Sequence, residues 1–224
     1  INPSDQQTTF QYLAKIHTPI STPSWTMLLA QSIRKDNSVA IHDCGTQGWD
    51  VNQVFKNYIP KLTVIMVHGH NPTGSTENMP MAIKVVQDIK RYNSDIIVAI
   101  GGGHVSALPE MTLTECDADY AIQGEGYYTI KGIINYLEGS KDVKNIEGLW
   151  YRDGREITKN HPAKNIKDLD KDLGGYAFDL MPNFSKYRAS EVHCLQRFEE
   201  SKMENEGFID VRSPYIALYT TLGC

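Results

Sequence analysis

The sequence has no CxxC pair. Its four cysteines, Cys44, Cys116, Cys194 and Cys224, stand far apart, which suits a reducing cytosol better than a disulfide framework. No apolar run approaches the roughly 20 residues of a membrane span, and no secretory leader is visible. A soluble, cytoplasmic protein without a membrane partner is therefore expected. Basic charge is also short: the net charge is −5, so nucleic acid is not an expected partner. Three common signatures are missing as well, namely GxGxxG, the Gly-Lys-Ser/Thr of a Walker A loop, and GxSxG. What remains is an ordinary globular composition, 41% hydrophobic and 22% charged over 224 residues, long enough to bury a core.

Four short apolar runs read as buried strands: Ser38–Asp43 (SVAIHD), Leu62–Val67 (LTVIMV), Asp95–Ile100 (DIIVAI) and Asp119–Gln123 (DYAIQ). They are rich in Val and Ile and end at Gly, Asn or His, as strands covered on both faces do. Helical patterns separate them. Pro23-Ser24 starts one that runs to about Ile33. Asp50 can cap a second, with Val51, Val54, Phe55 and Tyr58 on one face. Pro80 opens a third, with Ala82, Ile83, Val86 and Ile89 inward. Ile130, Ile133, Ile134 and Leu137 form the stripe of a fourth, closed by Gly139. This alternation predicts an α/β fold, a flavodoxin-like (Rossmann-like) doubly wound parallel sheet, with Ile1 as the stub of its first strand.

A hairpin follows, Glu147–Tyr151 with Arg155–Thr158 around Asp153-Gly154, and then a polar, turn-rich linker to Pro182. Residues 183–212 show no clear period, and Glu199–Gly207 reads as exposed. Tyr215–Thr221 reads as a further strand that stops at Gly223 and Cys224. Both ends look like cuts in a longer chain. The expected divisions are 1–140, an α/β domain, 141–182, hairpin and linker, and 183–224, a connector with one new strand.

Ligands of doubly wound sheets bind beyond the carboxyl ends of the strands, which directs attention to the loops there. Val67–Thr76 (VHGHNPTGST) is the densest in polar groups, with His68, Gly69, His70, Asn71, Thr73 and Ser75. His68 and His70 share a face if extended, but two ligands without a third make a weak metal site. A polar loop with one satisfied histidine is the competing reading. Ile100–Glu110 (IGGGHVSALPE) carries Gly101, Gly102 and Gly103 before His104, and glycines let a ligand approach the backbone. Gln123–Thr129 (QGEGYYT) adds Gly124, Glu125 and Gly126, which could equally be a capping turn with Glu125 at a helix start. Ser106 reads as a helix cap, and Cys44 as a small packed hydrophobe.

Taken together, these loops resemble the cobalamin-binding domain that precedes radical S-adenosylmethionine (SAM) enzymes. The pattern GG-x-H-x-(S/T)-x-x-P is met by Gly101-Gly102-Gly103-His104-Val105-Ser106-Ala107-Leu108-Pro109, with glycine where proline is common. Asp119-Tyr120 through Gly124-Glu125-Gly126 is similar to that family's D-Y/F-x-x-x-G-E-G-E segment, with Tyr127 in place of the last acid. Thr220–Cys224 (TTLGC) is similar to the start of the cluster motif T-x-x-G-C-x-x-x-C-x-x-C. The resemblance implies cobalamin across the carboxyl edge, near the three loops. It implies Cys224 as the first thiolate of a 4Fe-4S cluster in a longer protein that also binds SAM. In that protein a SAM-derived radical and methylcobalamin would serve methyl transfer to an unidentified substrate, and a radical SAM barrel in the same chain would be the partner. The D-x-H-x-x-G motif of histidine-ligated cobalamin domains is absent, since His17 lacks its flanking Asp and Gly, so base-off cobalamin without a histidine ligand is expected. Two other classes stay open: a non-catalytic flavodoxin-like ligand-binding or sensor domain for a nucleotide or flavin, and a sugar-nucleotide enzyme, which the missing fingerprint disfavours.

Overall fold

The structure is a computed structural model describing residues 1–5, 18–69, 72–181, 183–189 and 213–220. In chain order come α1 (Ser24–Ile33), α2 (Cys44–Gln47), α3 (Val51–Val54), β1 (Leu62–Val67), α4 (Pro72–Glu77), α5 (Met79–Tyr92) and β2 (Ile97–Gly102). They are followed by α6 (Gly103–Ala107), α7 (Pro109–Glu115), β3 (Tyr120–Ile122), α8 (Tyr127–Leu137), β4 (Leu149–Asp153) and β5 (Glu156–Lys159). Three smaller elements follow: α9 (Leu169–Asp172), β6 (Arg188–Ala189) and β7 (Ser213–Pro214).

β1, β2 and β3 pair in parallel, and the β4–β5 hairpin adds antiparallel to the β3 edge. On the far side of β1 the sheet continues irregularly. Ile1 bonds to β1, and Asn2 forms a parallel bridge with Asp43. Counting those two segments as strands gives the spatial order 2-1-3-4-5, that of flavodoxin-type sheets.

Alternation along the strands divides the core, because successive side chains point to opposite faces. Ile65, Val67, Val98 and Ile100 pack with Ala82, Val85, Val86 and Ile89 of α5 and Leu113 of α7. Met66, Ala99 and Ile122 pack with Leu28 and Leu29 of α1 and Ile130 and Ile133 of α8. Both faces are therefore covered, which explains why these strands read as unbroken apolar runs. A third cluster seats Met27, Ala30 and Ile41 against Ala177 and Met181 of the linker and Tyr187 just beyond it.

Most helix boundaries follow local chemistry. Asp43 and Asp50 accept hydrogen bonds from the Gly45 and Asn52 N–H groups at the starts of α2 and α3. Pro80 sits in the first turn of α5. α8 ends in a Schellman pair, Ser140 N–H to Asn135 O and Gly139 N–H to Tyr136 O, both 2.9 Å. Asp119 braces the opposite end of the sheet, accepting from Lys90 Nζ at 2.6 Å and Val98 N–H at 2.7 Å.

Three expected elements differ. The helix after Asp50 lasts a single turn, and Tyr58 is exposed: Pro60 follows closely, and a proline disfavours helix in the residue before it. Residues 38–42 form no ladder among the described residues, where the pairing is the bridge of Asn2 with Asp43. Within 215–220 there is no strand either: after Tyr215 N–H, which donates to Tyr187 O, the Ala217 and Tyr219 N–H groups go to the side-chain hydroxyls of Thr22 and Tyr176; Tyr215, Ile216, Leu218 and Tyr219 are exposed there. Residues 190–212, including Glu199–Gly207 and Cys194, lie outside the described residues, as do His17 and Cys224.

Gly102 is the tightest point. Its φ is +132°, and a Cβ would stand 2.0 Å from the Val67 carbonyl oxygen. Gly102→Ala is therefore expected to destabilise the fold by about 2–4 kcal/mol from strain and overpacking. A urea titration should show a lowered midpoint at unchanged slope.

Candidate functional site: the carboxyl edge of the sheet

The loops after β1, β2 and β3 meet at one edge and are tied together by side chains. Ser75 Oγ donates to Val67 O at 2.5 Å and accepts from His104 N–H at 3.0 Å. Thr76 Oγ1 bonds His104 Nδ1 at 3.0 Å. These contacts bind α4 to α6. Gly69 approaches Gly74 so closely that a Cβ would meet its backbone at 2.4 Å, which draws the loop after β1 into a tight closure.

The β2 and β3 loops are joined similarly. Ser106 Oγ accepts from Gly124 N–H at 3.0 Å, and Gln123 Nε2 donates to Ser106 O at 3.3 Å. Trp150 Nε1 then donates to Gln123 Oε1 at 3.1 Å, bringing in the hairpin. Ser106, read from sequence as a helix cap, is thus a cross-loop tie.

His68 sits at the end of β1, its ring 6.1 Å from that of Trp25. Its Nε2 is shut away from water and has no hydrogen-bond partner among the described residues. Burial pushes its pKa down to about 4, so the imidazole is neutral at neutral pH. His70 and Asn71 lie outside the described residues, and Thr73 is placed only by its backbone, in α4.

The candidate glycines divide into two sorts. Gly101 is buried, and a Cβ there would press on Ile122 and Met66 at 3.2 Å; with Gly102 it serves the packing of the sheet itself. Gly103 is exposed at the start of α6. Gly124 is exposed with open space where a side chain would go. Gly103 and Gly124 are accordingly the candidate glycines whose backbone is exposed at the edge. Gly126 precedes α8. The Glu125 carboxylate accepts from Ile166 N–H at 2.5 Å, and its carbonyl accepts from Trp25 Nε1 at 3.1 Å. It fastens the linker rather than opening toward a ligand.

Sequence reading passed over a buried polar cluster next to this edge. Asp43, 1% exposed, accepts from Asn2 Nδ2 at 2.8 Å, Tyr187 Oη at 2.8 Å and Thr46 Oγ1 at 3.0 Å. Burial raises the Tyr187 pKa, so the phenol stays a donor. The signal available beforehand was an Asp closing the strand-like run SVAIHD. Cys44 beside it is packed in the core, and burial pushes its thiol up to about 12; it is a hydrophobe, as read. Among the described residues no group of three His, Cys, Asp or Glu could hold a metal, and no helix is long and apolar enough to cross a membrane.

The fold and this edge define a class: a flavodoxin-like α/β domain with a ligand edge built from three cross-tied loops at the carboxyl ends of its strands. The sequence profile of the B12 binding domain matches residues 13–134, over half of the chain, and the chain belongs to that family. An uncharacterized methyltransferase of Pyrococcus horikoshii is 29% identical over 168 residues, 73% of this chain and 35% of that protein. The anaerobic magnesium-protoporphyrin IX monomethyl ester cyclase of Synechocystis is 26% identical over 140 residues, 62% of this chain and 27% of that protein. The chain thus spans about a third of the length of these curated relatives. Among solved structures, the radical S-adenosylmethionine methyltransferase TsrM of Kitasatospora setae, with cobalamin and a 4Fe-4S cluster bound, matches with a TM-score of 0.59 at 17% identity. That match covers 74% of this chain and 29% of TsrM. The cobalamin-dependent S-adenosylmethionine radical enzyme OxsB matches with a TM-score of 0.53 at 18% identity, over 76% of this chain and 23% of OxsB. At these identities the likeness is one of fold.

The buried neutral His68 makes stability depend on pH. Unfolded chain takes up a proton near pH 6.5, whereas the folded ring resists it to about pH 4. The unfolded state therefore binds more protons in that window, and stability falls as pH drops from about 6.5 toward 4, by at most about 3 kcal/mol. Urea unfolding at pH 7, 6, 5 and 4 should show this loss, and His68→Leu should flatten that part of the profile.

Proposed function

We propose that the chain is the cobalamin-binding module of a radical SAM enzyme, most simply a methyltransferase acting on a substrate that the missing parts recognise. The observation that carries this reading is the B12 binding domain match over residues 13–134, which falls on a fold whose carboxyl edge gathers three polar, glycine-bearing loops. Fold alone would not separate this from a flavin or nucleotide binder; the family does.

In this reading the corrin lies over the edge formed by His68, Gly69, His70, Asn71, Thr73 and Ser75 on one side and Gly101, Gly102, Gly103 and His104 on the other. Gly124, Glu125 and Gly126 border it. The chain's own residues fit such a group in two respects. Gly103 and Gly124 leave backbone uncovered at the edge, so a large planar ligand meets no side chain there. The Ser75–His104 and Ser106–Gly124 ties hold the loops in fixed relation, so the surface is organised before a ligand arrives. When bound, cobalamin supplies a cobalt-borne methyl group; the protein's part is to bind, aim and shield. With no D-x-H-x-x-G motif, cobalamin would be held without a histidine ligand from that position.

Residues 1–140 form the cobalamin unit, 141–182 the hairpin and linker, and 183–224 the connector into a radical SAM barrel in the whole protein. Cys224 is then the first thiolate of the 4Fe-4S cluster that serves SAM, and the remaining thiolates come from sequence beyond it. The protein works in the cytoplasm, with no nucleic-acid or membrane partner.

The test is retention of corrin. The purified chain, incubated with hydroxocobalamin and desalted, is expected to keep corrin with a base-off visible spectrum. Gly103→Leu, which adds bulk at an exposed position without positive φ, is expected to weaken retention about tenfold or more with unchanged far-UV circular dichroism. A folded chain that retains flavin mononucleotide instead, and no corrin, would overturn the reading.

A further inference from the structure

Residues 215–220 are held along one edge, at first by backbone and then by side-chain hydroxyls. Alternate residues of an extended chain turn their backbone groups to the same side, and here residues 215, 217 and 219 face the domain. Tyr215 N–H donates to Tyr187 O at 3.0 Å. Ala217 N–H donates to Thr22 Oγ1 at 3.1 Å, and Ser24 Oγ donates to Ala217 O. Tyr219 N–H donates to Tyr176 Oη at 2.6 Å, and the same Oη donates to Tyr219 O at 3.0 Å.

A hydroxyl has one proton to give, which fixes the directions. Ser24 gives its proton to Ala217 O, so in its 3.0 Å contact with Thr22 it accepts. Thr22 then gives its own proton to Ser24 and accepts from Ala217 N–H. The two side chains close a ring around residue 217 that presents one donor and one acceptor, as a residue of a neighbouring strand does. Tyr176 does the same for residue 219 with a single hydroxyl.

Thr22 and Ser24 are both buried and flank Pro23 at the start of α1. Residues of this type ordinarily cap a helix there. The Pro23 position has no side-chain cap, however, and both hydroxyls turn to residue 217 instead. Trp25, next in α1, reaches the other way. Its Nε1 donates to Glu125 O in the loop after β3, and its ring lies 6.1 Å from that of His68 in the loop after β1. Against the same indole Tyr219 packs edge-on, with centroids 5.8 Å apart.

We propose that Thr22, Ser24 and Tyr176 are positioning residues, whose hydroxyls lock the register of residues 215–220 against the domain while Trp25 ties that register to the carboxyl edge. A slip of one residue would turn the backbone groups of 217 and 219 away from their hydroxyls and the Tyr219 ring away from Trp25. Hydroxyls fix register at two residues without continuing the sheet. What the lock achieves chemically rests on the cobalamin reading. Cys224 stands five residues beyond Tyr219, so the chain can carry its Cα at most about 18 Å from that of Tyr219. A cluster bound there would be kept close to the edge that bears the corrin. The lock itself does not depend on what the edge binds.

Hydrogen exchange read residue by residue tests it, on the chain and on Thr22→Val, Thr22→Ser and Tyr176→Phe. In the unsubstituted chain the Ala217 and Tyr219 amides are expected to exchange about tenfold or more below free-peptide rates. Thr22→Val, similar in shape but without the hydroxyl, should release Ala217, and Thr22→Ser should keep it slow. Tyr176→Phe should release Tyr219. The β2 amides should be unchanged throughout, and the serine rescue is a result that a general loss of packing would not give. Free-peptide rates at both amides in the unsubstituted chain would overturn the proposal. So would slow exchange that survives the loss of either hydroxyl. If Thr22→Val disturbs the β2 amides, Tyr176→Phe still decides, since Tyr176 lies in the linker outside the sheet. Corrin retention by the unsubstituted chain is measured separately, so failure of the lock and failure of the cobalamin reading are told apart.

Discussion

The carbonyl oxygen of Val67 is where the carboxyl edge is fastened. Ser75 Oγ donates to it, and Gly102 lies so near that any side chain there would overlap it. His104 N–H then closes onto the same serine. Through this one point β1, β2, α4 and α6 are held in a single arrangement, and the loops after two strands become one surface. Without it each would be a separate flexible turn, and a ligand would have to order them at its own cost.

A second constraint works beside it. Asp43 is a buried carboxylate, and such a group is tolerable only when donors surround it. Asn2, Thr46 and Tyr187 supply them, and Tyr187 comes from the start of the connector. Glu125 holds Ile166 of the linker in the same manner. Linker and connector are therefore each strapped to the edge by a hydrogen bond to an acid. Ser213–Pro214 pairs with Arg188–Ala189, and Tyr219 packs its ring against Trp25 with centroids 5.8 Å apart, so the last described residues are brought back toward the edge.

Much of the fold was legible because its signals are local. The four-residue spacing in α5 and α8, the prolines at helix starts and the aspartate caps all act within a few residues, and each element they announced is present. The turn at Asp153-Gly154 was equally plain. Elements that need a distant partner were not legible. Residues 38–42 have strand composition, yet a ladder depends on what lies beside them, and among the described residues the pairing there is the bridge of Asn2 with Asp43. Tyr215–Thr221 has the same composition, yet over its described part it is held by one backbone bond, Tyr215 N–H to Tyr187 O, and by side-chain hydroxyls rather than by a ladder. For the site, the loops named from sequence are the ones that meet, but the contacts within them were not legible. Gly101 and Gly102 were read as glycines open to a ligand, and a Cβ at either would also meet Met66, Val67 or Ile122. Spacing cannot tell a glycine that admits a cofactor from one that admits a neighbouring strand.

By itself, then, the sequence determined the alternation of strand and helix, the edge at which the loops gather, and the family to which the chain belongs. These depend on side-chain periodicity and on motifs contiguous in the chain. Tertiary structure alone decided that Ser75 meets His104, that Tyr187 reaches Asp43 across 144 positions, and that His68 is buried neutral. The reason is physical: a hydrogen bond or a burial between residues far apart in sequence is set by how sheets and helices pack, and packing geometry is not written in any local spacing.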